Sequence, residues 1–128
     1  MTEDPAYGTT QQRPLSVTLI GLLFIGVGVL GVGYHAREFW APGPFHYDLV
    51  WITFVRLLAI VGGLYLLRGS NWARWLLVAW LAFHVVVGAM HSASEAVMHA
   101  VLLVVIGYFL FRPRASAYCR GVGPAPAP

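Results

Sequence analysis

The sequence predicts an all-α protein, a four-helix transmembrane bundle with both termini in the cytoplasm. Three observations predict it. Four apolar stretches fill most of the 128 residues, and each approaches the about 20 apolar residues that a bilayer crossing needs. Hydrophobic residues make up 59% of the chain and charged residues 10%, with a mean hydropathy of +0.71. All eight basic residues are arginines, and most of them fall at alternate span borders. Near-continuous apolar runs without strict alternation exclude a barrel, so backbone groups in lipid are satisfied within helices.

The N-terminal tail, residues 1–13, carries Glu3 and Asp4 and has only Arg13 ahead of the first apolar run. It lacks the basic segment of a cleavable signal. The run is longer than a signal core, and Tyr34-His35-Ala36 is a poor cleavage site, so the first span is expected in the mature protein. That span covers about residues 15–34. Within it, Gly26-Val27-Gly28-Val29-Leu30-Gly31 matches the dinucleotide-binding pattern letter for letter. No strand precedes it and no βαβ unit surrounds it, so the match is rejected. These glycines, with Gly21 and Gly33, read as close-packing positions between helices.

The loop 34–48 holds Pro42-Gly43-Pro44, a stiff turn, between Trp40 and Phe45. Tyr34, Phe39, Tyr47 and Trp51 add to an interfacial aromatic belt. Span two covers about 49–67, span three 72–90 and span four 93–111. In span four, Ala93, Ala96, Ala100 and Gly107 form a small-residue stripe, expected to be a seam against a neighbouring span. Ser92 and Ser94 read as turn and helix-cap residues. The membrane domain then spans 14–114. Residues 115–128 are expected to be a disordered cytoplasmic tail whose lone thiol, Cys119, is free and without consequence.

Arg13, Arg68, Arg74, Arg112, Arg114 and Arg120 lie on one side of this topology. The other side has Arg37, offset by Glu38, Asp48 and Glu95. The excess of arginine places that side, and both termini, in the cytoplasm. The sequence pI of about 9.4 follows from these borders. Scattered border arginines are not the clustered basic face of a nucleic-acid binder, so no nucleic-acid partner is expected.

Function rests on a few polar residues. Ionisable groups inside a span are functional candidates by default. Arg56 lies eight residues past Asp48. His84 and His91 share a face of span three with Trp80 and Gly88, and Glu95 and His99 share a face of span four. His84 is eight residues before Ser92 and His99 seven after it. Antiparallel helices therefore place both histidines at one depth, roughly 10–12 Å below the turn, and Arg56 arrives near the same level.

Several readings compete for these residues. In the structural one, Arg56 pairs with Glu95, and the histidines hydrogen-bond carbonyls or each other to lock the bundle. In a second, His84 and His99 are axial ligands of haem b and Arg56 meets a propionate, which requires spans three and four to splay. In a third, His84, His91, Glu95 and His99 ligate zinc, copper or iron. In a fourth, Arg56 and the histidines hold a quinone-like or anionic headgroup. No nucleophile–base pair supports catalysis. His35 and His46 are read as facing solvent or headgroups.

Arg13-Pro14-Leu15, Val55-Arg56-Leu57-Leu58-Ala59, Asn71-Trp72-Ala73-Arg74-Trp75-Leu76 and Phe109-Leu110-Phe111-Arg112-Pro113 carry a resemblance. Over about residues 13–118 the chain resembles a group of small, uncharacterised four-span bacterial inner-membrane proteins. The resemblance implies a multi-pass protein of the bacterial inner membrane and no particular activity. The small multidrug exporters resemble it less, because they need an embedded glutamate in span one, where this chain has no acid. The leading expectation is a structural or accessory membrane protein, a homo-oligomer or a subunit of a larger complex, in contact with the lipid bilayer. A ligand-binding protein comes second and a transporter third.

Overall fold

The computed structural model describes residues 12–121, and every element among them is helical. Helix α1 runs Leu15–Ala36 and leads through a 3-10 turn, Arg37–Trp40, into the loop. Helices α2 (Tyr47–Leu67), α3 (Asn71–His91) and α4 (Ala93–Leu110) follow, and a short α5 (Pro113–Arg120) closes the chain. The four long helices are long and apolar enough to cross a membrane. Their bounds lie within about two residues of those read from hydropathy, the usual latitude at frayed ends.

The turns explain where the helices stop. Between α2 and α3, Gly69 adopts φ +80, a left-handed conformation that costs glycine nothing. Gly69 N–H then donates to Leu66 O and Ser70 N–H to Tyr65 O, both at 3.0 Å. This pair of bonds satisfies the orphan carbonyls of a helix C-terminus. Between α3 and α4 the connection is Ser92 alone, in extended backbone, and its hydroxyl accepts from Glu95 N–H at 3.2 Å. A serine followed three residues later by a glutamate is the sequence signature of such a cap.

The molecule is two helical hairpins. Helix α1 packs most extensively on α2 and α3 on α4, while α2 joins the pairs and α1 only grazes α4. Glycine decides the first contact. A Cβ on Gly21 would stand 2.6 Å from Leu67, one on Gly63 2.7 Å from Gly21 O, and one on Gly28 would collide with Ile60. Gly26 and Gly33, by contrast, have open space around the Cβ position. The core lies where the hairpins meet: Phe24, Val55, Ala59, Leu77, Trp80, Leu81, Ile106 and Leu110 are buried there.

The small-residue stripe of α4 is used at one level. Gly88 on α3 lies against Ala96, with 3.1 Å between its Cβ position and Ala96 N, but Gly107 meets nothing. The C-terminal boundary also moves. Residues 115–120, expected in the disordered tail, are helical. Proline fits the first helical position and Gly121, at φ +64, closes the helix. Ala115 and Cys119 are buried in the core, which gives α5 an apolar side to dock. Residues 122–128, and residues 1–11 of the N-terminal tail, lie outside those described.

Candidate functional site

Trp80 is the hub of the polar level. Its indole N–H donates to Val55 O of α2 at 2.8 Å, and its ring meets Phe24 of α1 edge-on at 5.5 Å. One turn on, the His84 ring stacks on it at 3.7 Å between centroids. His99 of α4 stands beside His84, with ring centroids 5.6 Å apart. The line Phe24–Trp80–His84–His99, with Val55, therefore touches all four long helices. The shared depth of the two histidines, read from their nearly equal distances to Ser92, is what the hairpin delivers.

The helical backbone sets the histidine tautomers. Nδ1 of His84 lies 2.8 Å from Trp80 O, Nδ1 of His99 2.8 Å from Glu95 O, and Nδ1 of His91 2.9 Å from Val87 O. A carbonyl only accepts, so in each ring Nδ1–H donates to the residue four positions earlier. In the neutral ring Nε2 is left as a lone-pair acceptor.

The remaining candidates are elsewhere. The Arg56 side chain lies along α1: a Cβ on Gly31 would stand 2.6–2.7 Å from its Cδ and Nε. It makes no ion pair with Glu95. Glu95 is exposed in the first turn of α4, on the other hairpin. The only ion pair among the described residues is His35 Nδ1 to Glu38 Oε1, at 3.2 Å. His91 is exposed near the turn, and no three His, Cys, Asp or Glu side chains among the described residues gather closely enough to hold a metal ion. Of the four residues named as metal ligands, His84 and His99 stand side by side. Nor do α3 and α4 splay. The Gly88–Ala96 backbone contact one turn from His84 closes the slot that a porphyrin would need.

Thr53, three residues before Arg56 on α2, has a buried hydroxyl without a hydrogen-bond partner. A small cavity of about 120 Å³ lies under the loop, between Glu38, Phe39, Pro42, Phe45, His46 and Leu49, away from the histidine pair.

Sequence reasoning missed Arg74. Read as a border arginine, it is 1% exposed. Its guanidinium donates to Leu110 O at 3.1 Å, to Ser116 Oγ at 2.8 Å and, through Nε and Nη2, to Asn71 Oδ1. It also lies over the Phe111 ring at 4.7 Å. One side chain thus ties the start of α3 to the end of α4 and to α5. The signal available was Asn71 three residues earlier, one helical turn away on the same face. Comparison with protein-family models, with curated proteins and with solved structures finds nothing that matches this chain.

Proposed function

We propose that this chain is a structural or accessory subunit of a larger assembly in the bacterial inner membrane, with both termini cytoplasmic. The carrying observation is the state of α4. Only 11% of its most apolar stretch is buried, against 28–33% in the other three spans. Val97, Val101, Val104, Val105 and Tyr108 are exposed along it, and Gly107 is uncovered. Lipid gives apolar helices no strong preference for one another, so association depends on close backbone approach at small residues. An open glycine beside an apolar strip on a span with few internal contacts is suited to that role. The polar residues support the same reading, because Trp80, His84 and Arg74 are engaged in joining helices. The orientation follows from the arginine distribution.

The test is a photo-cross-linking amino acid at Val104, introduced in the native membrane. The expected product is an adduct larger than the 14.0 kDa chain, containing a second protein or a second copy. Recovery of the monomer with lipid adducts alone sinks the proposal.

The second reading is a headgroup site at Arg56, His84 and His99. It is favoured by two free Nε2 acceptors on neighbouring rings and by an arginine on α2, packed along α1, that has no acidic partner among the described residues. A quinol hydroxyl donates to such acceptors and a quinone carbonyl accepts from arginine. Titration of the reconstituted protein with a short-chain quinone analogue, read by Trp80-sensitive fluorescence, decides it. A saturable change absent from His84→Ala and His99→Ala supports the site. An unchanged signal in the parent protein removes it.

A further inference from the structure

We propose that the arginine end of the bundle is a binding surface for anionic phospholipid headgroups. Arg13, Arg68, Arg112, Arg114 and Arg120 are all exposed, and all five lie at the end where α1 begins and α2 and α4 finish. The three acids among the described residues, Glu38, Asp48 and Glu95, lie at the opposite end. Glu3 and Asp4 precede Arg13 in sequence, outside the described residues, and even counting both the end stays net positive.

The surface is built. Arg13 donates to Leu67 O at 3.0 Å and Tyr118 Oη donates to the same oxygen at 2.7 Å. The last carbonyl of α2 therefore gathers the start of α1 and the end of α5 at one point. The aromatic faces hold other guanidinium groups at the border: Arg68 lies 5.4 Å from the Tyr65 ring centroid, and Arg112 lies 5.5 and 5.6 Å from those of Tyr108 and Phe109. A guanidinium on a ring keeps its outward N–H donors free. Helix α5 docks through Ala115 and Cys119, which leaves Arg114 and Arg120 on its exposed side.

The occupant follows from charge and place. An array of arginines at the edge of the apolar band, where acyl chains end, faces headgroups. Phosphate oxygens match the guanidinium fork. Basic groups next to a span contribute about fivefold each in affinity for an anionic surface. Arg74 takes no part, because its donors are used inside the protein.

The test uses the full chain in mixed micelles of a neutral detergent. Phosphatidylglycerol or phosphatidylcholine is titrated in, and bound lipid is counted by native mass spectrometry. Phosphatidylglycerol is expected to bind more tightly and to weaken as sodium chloride rises. The triple variant Arg112→Gln, Arg114→Gln, Arg120→Gln should lose about a hundredfold of that affinity. Arg37→Gln, at the other end, should lose none. The corresponding triple lysine variant keeps the charge and should keep most of the binding, so it and the salt titration decide the matter if the glutamine variant does not fold. Equal binding of the two lipids overturns the proposal, as does a loss in Arg37→Gln that matches the triple variant. Displacement of phosphatidylglycerol by millimolar inorganic phosphate overturns it in favour of a soluble-phosphate site.

Discussion

Single residues carry more of this fold than their number implies. Arg74 is a buried cation whose partners are a carbonyl, a hydroxyl, an amide and an aromatic ring. Replacing it by methionine removes the charge but leaves Ser116 and Asn71 without their donors. Arg74→Met is expected to destabilise the bundle by about 1–3 kcal/mol, read as a lower thermal midpoint in detergent. Cys119 gives a pH signature. Burial pushes its thiol above the ordinary value, and the nearby Arg74 charge only partly opposes this. Between the ordinary and the raised value the unfolded chain is ionised while the folded one still holds its proton. The unfolded state then binds fewer protons, so stability falls as pH rises through that window. Thermal midpoints measured across alkaline pH should decline less steeply in Cys119→Ala than in the parent chain. Neither role was legible in the sequence. Arg74 has the letter and position of any border arginine; Asn71 one turn earlier is a local hint of a partner, but the burial of Arg74 comes from contacts with residues 36 and 42 positions away.

At the level of the helix, legibility depended on whether a signal was local. Spans and the Ser92 cap are local, and the sequence shows them. Packing faces are not. The motif Gly26-x-Gly28-x-x-Gly31 reads as three equivalent glycines, yet the structure divides them. Gly28 faces α2, with Arg56 O 2.8 Å from its Cβ position, whereas Gly26 faces open space. A methyl group at Gly28 must move backbone, so Gly28→Ala is expected to cost about 1–3 kcal/mol. Gly26→Ala should be neutral or stabilising by up to about 1 kcal/mol, because it only restricts the unfolded chain. Unfolding in graded denaturing detergent separates the two. Helix α5 was hidden for a related reason. Its local start and stop residues are present, but the apolar side that docks is little more than Ala115 and Cys119, too small to stand out as a periodic pattern.

For the whole molecule, hydropathy and arginine placement show the membrane class, the span count and the two unlike ends. The relative rotation of the hairpins was not available, since it depends on which glycines meet which ridges. That rotation separates Arg56 from Glu95 and puts His84 beside His99. The agreement in depth of those histidines has a cause outside their own surroundings, in the single residue between α3 and α4. Ser92 acts as a gauge block: it fixes how far along α4 any residue stands opposite a given residue of α3. Inserting four alanines after Ser92 adds about one helical turn, and His99 then slides about 6 Å along the bundle axis if α4 extends. In a Cys119→Ala background, a short bis-maleimide should bridge His84→Cys and His99→Cys within one chain. The same pair should fail to bridge once the turn is lengthened, although every side chain of the pair's own helices is unchanged. Unchanged bridging would show that α4 keeps its place by its own packing. The gauge also constrains variation in the chain: length changes are tolerable in the proline-containing loop before α2, whereas a single residue gained or lost at Ser92 resets every contact between α3 and α4 at once.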